Sequence, residues 1–151
     1  MSIEHEGIEA VEKLIRRNKY LRPHFQRDDK LPIFDGEVFV YKDSNVNKPN
    51  TSLIGCVKVQ IKGLRKKKGK ESVQKLKYQV KVHDLEVFLN DGGAIFFVSE
   101  IYEDYSSKVF FCELLPLVIN RVLKDKKKQK SVYLEFLPFP DRKSVVEGKS
   151  V

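Results

Sequence analysis

Ile33-Phe34-Asp35-Gly36-Glu37 and Val57-Lys58-Val59-Gln60-Ile61-Lys62-Gly63 are the two segments on whose reading the fold of this chain turns. The second alternates apolar and polar residues. In an extended strand successive side chains point to opposite faces, so Val57, Val59 and Ile61 share one face and Lys58, Gln60 and Lys62 the other. Between the two segments, Val38 to Tyr41 is rich in strand formers, and Asp43 to Ser52 has the Asp, Ser, Asn and Pro content of a loop. Two strands in such close succession predict antiparallel pairing.

Working outward toward the N-terminus, Ile8, Val11, Leu14 and Ile15 recur at helical spacing and predict an amphipathic helix over Glu6 to Arg17, ending near Asn18. Glu12 lies one turn after Ile8 at the edge of the apolar stripe, where it faces either the domain or solvent. Leu21 to Lys30 reads as a polar connection carrying Pro23, Asp28 and Asp29. Toward the C-terminus, Arg65-Lys66-Lys67-Lys68-Gly69-Lys70 is a dense basic run leaving the strand that carries Gln60 and Lys62. It is either a solvated loop or a hold on a nucleic-acid backbone. Leu76 to Val82 predicts a third strand. Asp84 reads as the N-cap of a helix with Leu85, Phe88 and Leu89 inward, stopped by Gly92-Gly93.

Ala94 to Ile101 is nearly continuous apolar sequence and predicts a central strand covered on both faces. Val109 to Leu114 is a further strand. Pro116 suits the first turn of a helix to about Lys124, Lys126 to Lys130 is a second basic loop, and Val132 to Leu137 is the last strand. The order is therefore helix, three strands, helix, two strands, helix, strand. The fold class is α/β (α+β), with a single mixed central sheet flanked by helices.

With 151 residues and 41% hydrophobic content the chain has the size of one domain. A formal charge of +8 favours a polyanionic partner. No apolar run reaches about 18 residues and the N-terminus lacks a signal-peptide pattern, so no membrane partner is expected. Cys56 and Cys112 form neither a disulfide framework nor a metal quartet. Both are expected to be buried thiols in a reducing, cytoplasmic setting. Residues 1–140 are taken as the domain. The stretch from Asp141 to Val151 has no core periodicity and reads as translated adapter sequence, a non-native or unstructured tail; the natural protein is then expected to continue differently beyond residue 140.

Phosphodiester hydrolysis needs charge neutralised on the phosphate, an activated water and a stabilised leaving oxygen. A hard divalent cation held by oxygen ligands supplies much of this. Asp35, beside Gly36, is the leading ligand candidate. The Gln60 amide oxygen and the Ile61 carbonyl complete a metal set, Lys62 serves as a point charge for water or phosphate, and Glu12 adds a carboxylate from the helix. As plain structure, the same residues are a turn acid, a solvated strand face and a helix surface.

Phe34-Asp35-Gly36-Glu37-Val38-Phe39-Val40-Tyr41, the run from Gly55 to Gly63, and the stretch His83 to Tyr102 resemble the bacterial family designated domain of unknown function 4365, which is placed in the PD-(D/E)XK nuclease superfamily. The resemblance covers His5 to Pro138. It implies a restriction-endonuclease-like core of helix, three-strand meander, helix and strand, with Mg2+ or Mn2+ as cofactor. It also implies a DNA substrate and a setting in restriction or anti-phage defence. By the resemblance Asp35 is the metal-binding Asp, Lys62 the catalytic Lys and Glu12 the acid of the first helix. Gln60 stands where the superfamily most often has Glu or Asp, which removes a negative charge from the site. Coordination would then draw on Glu12, Glu37 or the substrate phosphate. The expected function is a metal-dependent DNA endonuclease-like domain, with Arg65, Lys66, Lys67, Lys68 and Lys70 on the nucleic acid. The alternatives are a non-catalytic nucleic-acid-binding module with a degenerate metal site, and a domain that serves protein assembly as a homo-oligomer.

Overall fold

A computed structural model describes residues 2–26, 34–43, 50–126 and 128–140. The acids Asp28 and Asp29, part of the loop after Asp43, and the tail from Asp141 lie outside the described residues. Helix α1 (Ile3–Arg16) is followed by β1 (Leu21–Phe25), β2 (Gly36–Tyr41), a single 3-10 turn at Asn50–Ser52, β3 (Leu53–Arg65) and β4 (Leu76–Lys81). Then come α2 (Val82–Asn90), β5 (Ala94–Ile101), β6 (Ser107–Leu114), α3 (Pro116–Leu123) and β7 (Ser131–Pro138). The strands form one mixed seven-stranded sheet in the order β1-β2-β3-β5-β6-β7-β4. Among the described residues only β3 and β5 pair in parallel. The expected fold class is the one observed.

Local chemistry accounts for the helix limits. Ser2 caps α1, its side chain accepting from the His5 amide at 3.2 Å. Asn18, expected as a C-cap, turns its Oδ1 to the Tyr20 amide at 2.9 Å instead, and Arg17 closes the helix. α2 begins two residues before Asp84, which sits in its first turn rather than at the cap. Gly92 and Gly93 end it in the left-handed region, at φ 90° and 107°, with the Gly93 amide donating to the Phe88 carbonyl at 2.8 Å. Pro116 opens α3 as expected.

Two placements differ from expectation. Leu21–Phe25 is a strand, not a polar connection. As the outermost strand it tolerates Pro23, which has no amide to donate. The antiparallel meander is thus β1-β2-β3. The strand over Leu76–Lys81 lies at the far edge of the sheet, paired with β7.

β5 is the central strand, and its two faces divide the core. Phe97, with Val59, Ile61 and Val38, packs against Ile8, Val11 and Ile15 of α1. Ala94, Phe96 and Val98 pack against Leu85 and Phe88 of α2 and Ile119 and Leu123 of α3. Phe96 sits edge-on to Phe88 and Phe136, pairs worth roughly 0.5–1.5 kcal/mol each beyond their buried area. α1 can approach β3 closely because Gly7 meets Gly63, and Ser99 Oγ donates to the Gly7 carbonyl at 3.0 Å.

The cysteines separate. Cys112 is half-buried, and burial pushes its thiol up to about 11. Cys56 is exposed, contrary to expectation, because strand parity places it with Lys58 and Gln60 on the face away from α1. Its Sγ donates to Glu37 Oε2 at 3.0 Å, and that bond, followed by desolvation, raises its pKa. With a disulfide reagent at pH 8 the native protein is therefore expected to titrate one thiol, Cys56, more slowly than free cysteine. Cys112 should react only on unfolding; two fast native thiols would contradict these placements.

Candidate active site

The site is built where β2 begins. Gly36 has φ 151°, and a Cβ there would lie 2.2 Å from the His24 carbonyl oxygen, so only glycine lets β1 and β2 pair up to this point. Asp35 extends the ladder by one residue on each side. Its amide donates to the Val59 carbonyl at 2.9 Å, and its carbonyl accepts from the Gln26 amide at 2.7 Å. Its side chain then reaches across to β3, where Oδ2 accepts from the Ile61 amide at 2.7 Å. Asp35 is only 7% exposed.

The strands bring Asp35 beside the Val59–Ile61 segment of β3. The β2–β3 ladder ends at Gly36 and Val59, and the Asp35 amide donates to that same Val59 carbonyl, so Asp35 and Gly36 both stand against Val59, next to Gln60. The Ile61 amide points toward Asp35. In an extended residue the carbonyl points to the same side, so the Ile61 oxygen lies on the β2 side of β3. Gln60 is 4% exposed, and its Oε1 is a buried acceptor without a hydrogen-bond partner. Such an atom costs about 1–3 kcal/mol. Lys62 follows on the same face, with its side chain exposed.

Glu12 is placed differently. α1 packs on the face carrying Val59 and Ile61, so Glu12 comes from the other side of the sheet from Gln60 and Lys62, and it pairs with Arg16 at 3.5 Å. Glu37 lies one rung from Asp35 on its face but is engaged by Cys56, with Lys58 Nζ at 4.0 Å.

The basic run is partly committed to the protein's own acids. Arg65 pairs with Glu6 at 2.8 Å, Lys66 stands 4.0 Å from Glu100, and the Lys68 amide donates to Glu103. Lys67, Lys68 and Lys70 remain exposed. Four residues separate Lys62 from Lys66, roughly 13 Å of extended chain.

Glu100 was not singled out by sequence reasoning. It is fully buried at the end of β5, accepting from the Ser72 amide at 3.0 Å, Ser72 Oγ at 2.5 Å and Tyr102 Oη at 2.9 Å. The Tyr102 hydroxyl is raised well above the ordinary phenol range by desolvation first and this carboxylate second. A glutamate closing an apolar run was the available signal, since a charge there is buried only with partners.

Among the described residues, no cluster of three or more His, Cys, Asp or Glu side chains stands ready for a metal. The oxygen donors closest to this point of the fold are the Asp35 carboxylate, bonded to the Ile61 amide, and the Gln60 amide and Ile61 carbonyl beside it in β3. Oxygen donors of this kind suit a hard divalent ion, and the unpartnered Gln60 Oε1 is an atom such an ion would satisfy. Among the described residues no helix is long and apolar enough to cross a membrane. The chain matches no protein-family model, no curated protein and no solved structure.

Proposed function

We propose that this chain is a metal-dependent DNA endonuclease-like domain of the PD-(D/E)XK kind. The observation that carries the reading is the orphaned, buried Oε1 of Gln60, one residue before the Ile61 amide that donates to the buried Asp35 carboxylate. The order α1, β1-β2-β3 meander, α2, β5 supports it as well, being the core order that the resemblance implies, with the edge strand β4 intervening between β3 and α2.

In this reading Asp35, Gln60 Oε1 and the Ile61 carbonyl would hold Mg2+ or Mn2+. The bound ion supplies charge neutralisation at the phosphate and a more acidic bound water. Asp35 also fixes the Ile61 amide, so one carboxylate both orients the strand and offers a ligand oxygen. The exposed Lys62 ammonium stabilises the negative charge that grows on the phosphate or orients the attacking water. The neutral Gln60 in place of an acid favours the second reading, a nucleic-acid-binding module without turnover.

Cleavage of plasmid DNA in Mg2+ or Mn2+ separates the two. Lys62→Ala and Asp35→Asn are each expected to lower the rate at least about 100-fold, the loss typical of one preorganised electrostatic group. Asn at 35 can still accept from the Ile61 amide, so a lost rate would not reflect a lost fold. Salt-sensitive DNA binding, with no cleavage and no response to chelator or to either substitution, would leave the binding module standing and remove the enzyme.

A further inference from the structure

The sheet face opposite α1 is exposed over the outer part of the meander and buried at Gln60. α2 and α3 pack over β4, β5 and β6, and Phe88 of α2 reaches Phe34 just before β2. Register assigns this face in rungs. Arg22, Phe39 and Cys56 oppose one another across β1, β2 and β3, and His24, Glu37 and Lys58 form the next rung. Gln60 and Lys62 follow along β3. Arg22, His24, Cys56 and Lys62 are exposed, while Lys58 and Phe39 are half-buried. Their neighbours along each strand, Leu21, Phe25, Val38 and Val59, belong to the core beneath α1. One face is apolar and packed; the other is polar and exposed at Arg22, His24, Cys56 and Lys62, and turns apolar at Leu64, which packs on the core beneath α2 and α3.

Lys58 is held rather than loose. Its Nζ sits 5.7 Å from the centre of the Phe34 ring and 4.0 Å from Glu37. It lies two residues before Gln60 and four before Lys62, on their face. Two residues of strand span about 6.8 Å. That step is comparable with the separation of neighbouring phosphates on an extended nucleic-acid strand.

We infer that the open face of the meander is the bed of the nucleic-acid strand, and that Lys58 binds the phosphate next to the one over Gln60 and Lys62. Charge complementarity selects the occupant. Lys58, Lys62 and Arg22 place three cations along a face whose acid, Glu37, is engaged by Cys56 and Lys58, while the buried Asp35 at its edge is turned onto the Ile61 amide. The Phe39 ring, in edge contact with His24, offers an apolar surface beside that lane. Lys58 is a binding and positioning residue, and its contribution is electrostatic. The inference rests on the nuclease-like reading for the identity of the strand, and it is tested without cleavage.

The test is fluorescence anisotropy of a labelled DNA oligonucleotide, single-stranded and duplex, titrated with the full chain in chelator across a salt series. Lys58→Ala is expected to weaken binding about 5- to 10-fold near 50 mM salt and to flatten the log Kd against log salt slope by about one phosphate contact. Lys58→Arg should restore the slope. Lys81→Ala, an exposed lysine on β4 at the far edge of the sheet, should bind as the native chain does. Equal affinity and slope for Lys58→Ala and the native chain would overturn the inference, as would absence of salt-dependent binding by the native chain. If the oligonucleotide binds in this way but is never cut when metal is supplied, the enzyme reading falls and the strand bed remains. If it is cut but Lys58→Ala changes nothing, the reverse holds.

Discussion

Gly63→Ala is expected to cost about 3 kcal/mol, at the upper end for overpacking, and to lower Tm by roughly 10 °C for a chain of this size. A Cβ at Gly63 would stand 2.3 Å from the Ile3 carbonyl oxygen, a backbone atom at the start of α1 that cannot swing away. Relief requires the helix to lift from β3, which would also stretch the Ser99–Gly7 bond and open the layer formed by Ile8, Val11 and Ile15. Gly36→Ala belongs to the same class, with a Cβ 2.2 Å from the His24 carbonyl and a φ of 151°. Its damage would fall on the β1–β2 pairing beside Asp35. Gly55 provides the contrast on the same strand as Gly63. Nothing lies within 4 Å of a Cβ there, so Gly55→Ala should be neutral or slightly stabilising. Thermal unfolding of the three variants side by side checks the order. Equal Tm values for Gly63→Ala and Gly55→Ala would mean that α1 does not lie against β3 as described.

The contrast between Gly63 and Gly55 also marks where sequence reading stops. Strand alternation in Val57 to Lys62 was enough to assign both faces of β3, and those faces agree with the structure, because a period of two leaves one solution once the core side is known. The apolar run at Ala94 similarly announced a strand buried from both sides. What alternation cannot carry is a partner distant in sequence. Leu21–Phe25 was hidden because Pro23 and charged neighbours mimic a connection, and only its edge position makes such a strand possible. The strand over Leu76–Lys81 was legible as a strand but not as the neighbour of β7, since pairing across 50 residues has no local signature. Within the candidate site, the contact of Asp35 with the Ile61 amide follows from the antiparallel pairing of β2 with β3 that their close succession predicts. Glu12 and the basic run depend on how a helix and a loop dock, and there the chain's own Arg16, Glu6 and Glu100 intervene.

Gln60→Glu is expected to destabilise the metal-free protein by about 3–5 kcal/mol at neutral pH, the cost of an uncompensated charge in a buried position. The native side chain is 4% exposed, and the buried Asp35 carboxylate is bonded to the amide of the next residue, Ile61. A new carboxyl there meets desolvation and a like charge together, and both raise its folded-state pKa above the ordinary Glu value of about 4.3. A raised folded pKa costs nothing below that value, where the group is protonated in both states. The loss grows as pH rises from there through the folded pKa and is then constant. The Tm deficit relative to the native chain should therefore be large at pH 7.5 and shrink on acidification toward pH 4. A divalent ion offers a second relief. Because ligand charge governs affinity for hard ions, Mn2+ should bind the variant at least about tenfold more tightly and recover more Tm than it does in the native chain. Isothermal titration and thermal scans at fixed Mn2+ measure the two effects separately. A metal-free variant as stable as the native chain at pH 7.5 would mean that position 60 does not lie beside Asp35 inside a closed pocket. A variant destabilised at neutral pH but indifferent to Mn2+ would keep the pocket and remove the ion from it.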